Sequence, residues 1–210
     1  MAADPDLIAL FARGWAMTRD LEPPLPRHGG HYIHVGQPDQ KARYIFADLE
    51  PTEMGELART IAEPWIYLKI CERPEAVSAV LPPQWRIRTP PTWMMTKSLE
   101  AADFALPSGY TFRIDKDGAI LRSTIDFGGE SVARGRIALL ERHVLFDQIA
   151  TDEAHRRKGL ARALMQSLSN AAIEHGASDG LLSATEMGSW LYTSIGWDVH
   201  APYTSAVIPS

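Results

Sequence analysis

The hydrophobic pattern changes character about halfway along the chain. In the first half, Leu7, Phe11 and Trp15 recur at helical spacing and predict an amphipathic helix that ends near Arg19. The apolar runs that follow are short and separated by prolines, so we predict only brief strands and helices there. No proline occurs from 108 to 200, and the elements predicted in that stretch are correspondingly long.

The second half begins with the pattern of an antiparallel meander. Two alternating runs flank Asp117-Gly118, a dipeptide that is typical of hairpin turns. Periodicity predicts, in order, strands at Ser131–Leu140 and His143–Ala150, a helix from about Lys158 to His175 and a strand at Asp179–Thr185. The four consecutive strands with short turns predict an antiparallel meander, which the helix and the last strand follow.

Length and composition limit the number of domains and the class of protein. At roughly 150 residues per domain, 210 residues correspond to one domain with an extension or to two halves that share a core. Hydrophobic residues make up 45% and charged residues 22%, which excludes a disordered chain and a coiled coil. The formal net charge is −5, whereas general nucleic-acid binders and proteins of anionic membranes are more basic.

The single cysteine and the chain ends bear on the compartment. Cys71 lies in an apolar stretch, so we interpret it as a buried core residue. The first residues show neither a basic region nor a long apolar run, and no window reaches the length of a membrane span. We therefore expect a cytoplasmic protein without a membrane association.

A basic loop is the most informative segment of the chain. Arg156, Arg157, Lys158 and Arg162 surround Gly159 where the predicted helix begins. The first amides of a helix lack intrahelical partners and carry the positive end of its dipole, so this place suits a phosphate or pyrophosphate. A solvated surface loop is the alternative. The segment has neither the Walker pattern nor the dinucleotide-binding pattern.

The loop and its surroundings resemble the GCN5-related N-acetyltransferase (GNAT) family. Arg156–Ala161 reads Arg-Arg-Lys-Gly-Leu-Ala, similar to the family's Arg/Gln-x-x-Gly-x-Gly/Ala acyl-CoA motif. The segment Phe146–His155 resembles the central strand and its turn, and Leu191–Trp197 resembles the family's Leu-Tyr-x-x-x-Gly-Phe/Trp helix end. The resemblance covers residues from about 118 to 200.

This resemblance implies a fold and a division of the chain. It implies an α/β (α+β) fold with a mixed, mostly antiparallel sheet flanked by helices. Residues 106–210 would form the acetyl-CoA-binding catalytic half, and residues 1–105 an N-terminal companion subdomain. The family places two helices between its first two strands, where this chain has the hairpin at Asp117-Gly118. The N-terminal half would either supply that layer at the acceptor site or be a degenerate copy of the same fold.

The resemblance also implies residues that hold acetyl-CoA. The backbone of the loop would bind the pyrophosphate, and the end of the central strand would pair with the pantetheine arm like an added strand. Gly180–Thr185 should diverge from that strand end to admit the thioester. The implied cofactor-binding residues are Ile149, Ala150, Thr151, Arg156, Arg157, Lys158, Gly159, Leu160, Ala161, Arg162 and Tyr192.

Three residues are implied in the chemistry. Tyr192 would protonate the leaving thiolate; a core aromatic is the alternative. The attacking amine has a pKa of about 10.4, so a base must take its proton, directly or through water. Asp147 is the first candidate and Glu186 the second. Asp147 has an alternative role as the partner of an arginine such as Arg134 or Arg136. Family members that use water chains alone have no dedicated base.

The predicted function is transfer of an acetyl group from acetyl-CoA to a primary amine, on a small or amino-acid-like acceptor, by direct attack. The alternative is a non-catalytic CoA-binding module with a regulatory or interaction role. A nucleic-acid binder is disfavoured by the acidic total. His28, His31 and His34 lack a completing ligand set, so we expect no metal. The sequence leaves a homodimer open.

Overall fold

The computed structural model describes residues 3–210. Its helices are α1 (Pro5–Met17), α2 (Pro51–Thr60), α3 (Pro74–Val80), α4 (Leu160–Glu174) and α5 (Glu186–Ser194), with a short 3-10 turn at Glu153–His155. Its strands are β1 (Leu25–Arg27), β2 (Gly30–Gln37), β3 (Gln40–Phe46), β4 (Ile66–Ile70), β5 (Arg86–Ile87), β6 (Thr92–Ser98), β7 (Tyr110–Asp117), β8 (Ile120–Phe127), β9 (Glu130–Leu140), β10 (His143–Thr151), β11 (Asp179–Thr185) and β12 (Asp198–Val207). The strands are mostly antiparallel, as predicted, and the fold is mixed α/β.

The chain forms two compact units that are not consecutive halves. The first unit contains the residues up to Met95 together with Ser183–Ser210, and the second unit contains Thr96–Leu182. This division differs from the expected one after residue 105, because the C-terminal strand β12 pairs with β4 rather than with a strand of the meander. The C-terminal segment therefore belongs to the sheet of the first unit.

The first unit is built on the strand order β1-β2-β3-β4-β12, with β5 also on β12. One face of this sheet carries an apolar core that includes Phe46, Leu68 and Trp85, and α2 and α3 contribute to it. Trp85 donates its indole N–H to the carbonyl of Ala58 in α2 at 3.1 Å. Burying the ring with its polar atom satisfied avoids the cost of a lone buried donor.

Helix α1 packs against β2 and β3 of the same unit. Asp4 caps it, since its carboxylate accepts the Asp6 amide at 2.9 Å, and proline occupies the first helical position. Phe11 and Trp15 are buried, as their spacing predicted. The ring of Phe11 meets the ring of Tyr203 edge-on at 5.6 Å between centroids.

The second unit is the meander β7-β8-β9-β10 with β11 parallel to β10. The predicted hairpin is confirmed, and its strands extend to Asp117 and from Ile120, so only Gly118 and Ala119 form the turn. Helix α4 packs across β8, β9 and β10. Its apolar stripe, including Leu164 and Leu168, is fully buried there.

The sequence did not predict β12. Pro202 lies within this strand, and proline normally argues against a central strand. The ladder to β4 begins only at Thr204, beyond the proline, so the missing amide interrupts no bond to that neighbour. Among the described helices, none has both the length and the apolar content that a membrane crossing requires.

Candidate active site

The basic loop joins β10 to α4 in the second unit. It leaves the strand after Thr151, makes the 3-10 turn Glu153–His155 and reaches α4 at Leu160. Arg157 has φ 61° and Gly159 has φ 79°, so the backbone enters the left-handed region twice within three residues. Glycine adopts this conformation without steric cost, whereas arginine is strained there. The loop is therefore a tightly turned segment held between a strand and a helix.

The start of α4 leaves backbone donors available. Gly159 is the N-cap residue, and no side chain in the described part of the chain caps the helix there. The first intrahelical bond runs from the Ala163 amide to the Gly159 carbonyl at 3.0 Å. The amides before it have no intrahelical acceptor and lie at the positive end of the helix dipole. This place can therefore bind an anion through its backbone.

The positive side chains of the loop are exposed, and hydrogen bonds anchor Arg156 and Lys158. Arg156 donates from Nε to the carbonyl of Thr151 at 3.2 Å, which ties the loop back to the end of β10. Lys158 donates from Nζ to the hydroxyl of Tyr110 at 3.2 Å. These contacts hold Arg156 and Lys158 against the second unit, and Arg157 and Arg162 are exposed as well.

An aromatic cluster of Tyr110, Phe127 and His155 supports the loop from below. The Tyr110 hydroxyl lies 2.8 Å from Nδ1 of His155, and the Tyr110 ring lies 4.6 Å from that of Phe127. The rings of Phe127 and His155 are 5.4 Å apart. The cluster connects the first strand of the meander to the residue that precedes Arg156. These contacts hold the loop against the first two strands of the meander.

The strand before the loop contains a β-bulge. Asp147 pairs with Arg136, but the next pair on β10 is Ala150 with Arg134, so two residues of β10 oppose Gly135 alone. Gln148 in the bulge has φ 54°. The bulge redirects the end of β10, because an extra residue bends the strand and increases its twist.

The absence of a side chain at Gly135 leaves the space that Ile149 of the bulge occupies. A Cβ atom at Gly135 would lie 2.5 Å from Cδ1 of Ile149, 3.1 Å from Cδ2 of Leu164 and 3.3 Å from Cδ1 of Leu168. The side chain of Ile149 thus occupies the space that any other residue at position 135 would need. Glycine inside a strand often marks such a close approach.

The end of β10 offers further hydrogen-bonding groups. Its parallel ladder to β11 pairs Val144 with Gly180 and Leu145 with Leu181, and it ends at that last pair, while β10 continues to Thr151. The hydroxyl of Thr151 is buried without a hydrogen-bond partner. A buried hydroxyl without a partner is costly, so its presence beside the loop favours a ligand that supplies one.

Asp147, the first candidate for the general base, lies in the second unit. It is half-buried on β10, and its Cα partner on β9 is Arg136. The alternative role for Asp147, pairing with an arginine of the neighbouring strand, is thus sterically available. Its catalytic role stays a prediction.

Tyr192 and Glu186 lie on α5 in the first unit. Tyr192 is buried, and its ring lies 6.1 Å from that of Trp197. Thr185 caps the helix by accepting the Gly188 amide at 3.3 Å, and a Cβ atom at Gly188 would lie 3.4 Å from the Tyr192 ring. Glu186 is exposed in the first turn of the helix. Gly188 thus leaves room for the phenol ring beside the start of α5.

The residues of the loop fit a phosphate-bearing ligand such as acetyl-CoA. The uncapped amides of α4 and the exposed arginines suit a pyrophosphate, and the buried Thr151 hydroxyl suits a polar arm that follows the strand end. In the part of the chain that the structure describes, no group of three His, Cys, Asp or Glu side chains could hold a metal.

Sequence reasoning missed the bulge, Gly135 and the aromatic support of the loop. The glycine at 135 inside a predicted strand was the available signal for the bulge. Tyr110 gave no such signal, because it is 45 residues from His155 along the chain and meets it only through the meander.

The comparisons with known proteins bear on this geometry. A model of the acetyltransferase (GNAT) family matches residues 84–188. A GCN5-related N-acetyltransferase from Kribbella flavida superposes with a TM-score of 0.71 at 15% identity, over 97% of this chain and 96% of that one. A putative acetyltransferase of the GNAT family from Novosphingobium aromaticivorans has a TM-score of 0.62 at 15% identity, over 96% of this chain and 99% of that one. A GCN5-related N-acetyltransferase from Sphaerobacter thermophilus has a TM-score of 0.58 at 13% identity, over 100% of this chain and 95% of that one.

At these identities the structural matches show the fold alone, whereas the family match spans half of the sequence and contains the strand, the loop and the helix described above. The chain belongs to the acetyltransferase (GNAT) family.

Proposed function

We propose that this protein transfers an acetyl group from acetyl-CoA to a primary amine of a small or amino-acid-like acceptor. The observation that carries the proposal is the start of α4, an uncapped helix end in a left-handed turn that is surrounded by Arg156, Arg157, Lys158 and Arg162. In a chain of net charge −5, this is a concentrated site for a phosphorylated ligand. Family membership adds which phosphorylated ligand to test.

Each part of the loop has a task in this proposal. The amides of Gly159, Leu160 and Ala161 bind the pyrophosphate, and the exposed arginines neutralise its charge. The backbone of Ile149 to Thr151 hydrogen-bonds the pantetheine arm. The bulge exposes this backbone, since Gly135 of β9 cannot pair with both of the residues that oppose it on β10.

The remaining tasks concern protons. Acetyl-CoA, when bound, supplies an acetyl thioester that an amine can attack. Asp147, or in second place Glu186, accepts a proton from the substrate ammonium, because only the neutral amine has a free lone pair. Tyr192 donates the proton of its phenol oxygen to the departing thiolate sulfur, so that the thiol leaves neutral.

Two measurements test the proposal in sequence. Acetyl-CoA should raise the melting temperature of the protein, since a ligand that binds only the folded state stabilises it. No shift at millimolar acetyl-CoA would contradict the proposal. A screen of primary amines and amino acids for release of free CoA thiol should then yield at least one acceptor; binding without turnover on any amine would favour the non-catalytic CoA-binding module instead.

Tyr192→Phe tests the proton donor. The variant should bind acetyl-CoA with unchanged affinity and turn over on the order of a hundredfold more slowly, as loss of a general acid typically costs. Tyr32→Phe is the control, because Tyr32 is another tyrosine of the first unit and is partly buried. Equal turnover of both variants would remove Tyr192 from the reaction.

A further inference from the structure

Strand β7 forms one edge of the sheet in the second unit. It stands last in the strand order and pairs with β8 along its whole length, from Tyr110 opposite Phe127 to Asp117 opposite Ile120. In the described part of the chain, β8 is the one strand that pairs with it. An edge strand of eight residues presents unpaired backbone groups to which a further strand can be added.

The hairpin geometry determines which backbone groups of β7 face outward. The turn to β8 has two residues, and in such a hairpin the pair that flanks the turn, Asp117 with Ile120, exchanges hydrogen bonds. Hydrogen-bonded and non-hydrogen-bonded pairs then alternate along the ladder. The amides and carbonyls of Phe112, Ile114 and Lys116 therefore point away from β8, towards the free edge.

The two charged residues at the centre of β7 lie on one face of the strand. The side chains of Arg113 and Asp115 are 60% and 67% exposed. Nε of Arg113 lies 3.5 Å from a carboxylate oxygen of Asp115, and its Nη1 lies 3.0 Å from Asp126 on β8. A guanidinium group has five N–H donors, so Arg113 can bind a further carboxylate. Both side chains are accessible to a second chain.

The other face of β7 is apolar at its centre. Phe112 is 46% exposed, although its ring meets that of Phe104 edge-on at 5.0 Å, and Ile114 is half-buried. A strand added at this edge would remove part of this apolar surface from water, which favours the addition.

We propose that β7 pairs with β7 of a second copy of this chain, antiparallel and about a two-fold axis at Ile114. Ile114 then lies opposite Ile114 of the second copy, and Phe112 lies opposite its Lys116. These residues exchange the backbone hydrogen bonds, because their amides and carbonyls face outward. Arg113 lies opposite Asp115 of the second copy, and Asp115 opposite its Arg113. The contact is the same on both copies, so it closes at a dimer.

The charges on β7 select this register over its neighbours. Outward-facing groups meet each other only when the axis lies at a residue and not between two residues. An axis at Arg113 would place two guanidinium groups opposite each other, and an axis at Asp115 would place two carboxylates opposite each other. Like charges directly opposite are destabilising, whereas opposite charges stabilise the pairing. The axis at Ile114 makes both charged pairs complementary.

The position of the charged pairs strengthens this selection. Arg113 and Asp115 occupy non-hydrogen-bonded pairs of the new ladder, where the side chains of opposite residues are closest. Charged side chains on an edge strand generally prevent pairing with other chains. On β7 they oppose most partners and registers, and they permit a second copy in one register.

Sedimentation velocity of the full chain tests the proposal, from low micromolar to several hundred micromolar protein and without acetyl-CoA. We expect a reversible equilibrium of monomer and dimer, because one added strand buries less surface than a permanent interface. Arg113→Glu places carboxylates opposite each other, and Asp115→Lys places cations opposite each other. Each should weaken the dimer on the order of tenfold or more. A parent protein that stays monomeric, or variants that dimerise like the parent, would overturn the proposal.

A mixture of these two variants identifies the register. In a mixed dimer, the new carboxylate at position 113 of one chain faces the new ammonium at position 115 of the other. The remaining pair is the original Asp115 with the original Arg113. The mixture should therefore dimerise within about threefold of the parent's affinity. Failure of the two variants to associate with each other would overturn the assigned register and with it the proposal.

Matched controls separate this edge from a general effect of charge. Arg13→Glu and Asp39→Lys make the same charge changes at exposed positions of the first unit and should dimerise like the parent. Lys116→Pro removes an outward amide and leaves the ladder to β8 intact, since proline is tolerated on the free side of an edge strand. It should weaken the dimer on the order of tenfold. Unchanged dimerisation of Lys116→Pro would overturn the proposal even if the charge variants failed to fold.

This inference does not rest on the proposed function. The sedimentation experiment needs neither acetyl-CoA nor an amine, so acetyl transfer can fail while the pairing of β7 stands, and the reverse also holds.

Discussion

The β-bulge before the basic loop depends on the absence of a side chain at position 135. We predict that Gly135→Ala destabilises the protein and weakens acetyl-CoA binding together. The new methyl group would lie 2.5 Å from Cδ1 of Ile149, with Leu164 and Leu168 close behind. Overpacking of this kind costs about 1–3 kcal/mol in the free energy of unfolding. The Cδ1 atom of Ile149 must shift, and because Leu164 and Leu168 crowd the same space, we expect the shift to reach the backbone proposed to hold the pantetheine arm.

The assay is urea denaturation, followed by titration with acetyl-CoA. Gly55→Ala is the control, since Gly55 lies in α2 with its nearest neighbour at 3.4 Å, an ordinary contact distance. In a helix interior this change should be neutral or stabilise by up to about 1 kcal/mol. The contrast separates a close approach at Gly135 from a general effect of adding a methyl group.

A double-mutant cycle identifies the contact. Ile149→Val removes the Cδ1 atom that lies nearest to the added methyl, and alone it should cost about 0.5–1.5 kcal/mol. Combined with Gly135→Ala, it should recover part of the lost stability. If Gly135→Ala is as stable as the parent protein, or if the two changes are simply additive, the bulge is not held by this contact.

Three further predictions follow from single side chains. Tyr110→Phe should lower the free energy of unfolding by about 1 kcal/mol in urea, because two hydrogen bonds beneath the loop are lost; unchanged stability would refute the support role. Burial and Asp48 raise the pKa of Cys71 to about 12, so its thiol should resist a thiol reagent at pH 8 until urea unfolds the chain. The free energy of unfolding of the protein should fall above pH 9.0, the ordinary pKa of the thiol, because the thiol then ionises in the unfolded chain but not in the folded one. Hydrogen bonds from Ser178 and Arg142 lower the pKa of Asp179 below its ordinary 3.8, so the stability difference between the parent and Asp179→Asn should be present above that pH and shrink in more acidic urea titrations.

Local patterns predicted most of the second unit. The Asp117-Gly118 turn, the alternating runs beside it and the apolar stripe of α4 each depend on neighbours in sequence, and the structure confirms them. The basic glycine loop was visible for the same reason. A run of cations beside a glycine at a helix start needs no long-range information.

Long-range pairing could not be predicted in the same way. Strand β12 returns to β4 across 132 residues between Thr204 and the Glu72 carbonyl, and nothing local signals its partner. Pro202 even argued against a strand. The hydrogen bond from Lys69 to Ser205 arises from this return, because the two residues meet only once β12 lies beside β4. The periodicity of the sequence could not predict the hydrogen-bond partner of Lys69.

We propose above all that the start of α4 binds acetyl-CoA through its amides and the cations around them. The most direct measurement is an acetyl-CoA titration of the parent protein and of a triple variant with Arg156, Arg157 and Arg162 changed to Gln. Arg122→Gln, at a partly exposed arginine of β8 outside the loop, is the control. We predict that the triple variant weakens binding on the order of tenfold or more, while the control leaves it unchanged. Equal affinity of the parent and the triple variant, or no binding by the parent, would contradict the claim.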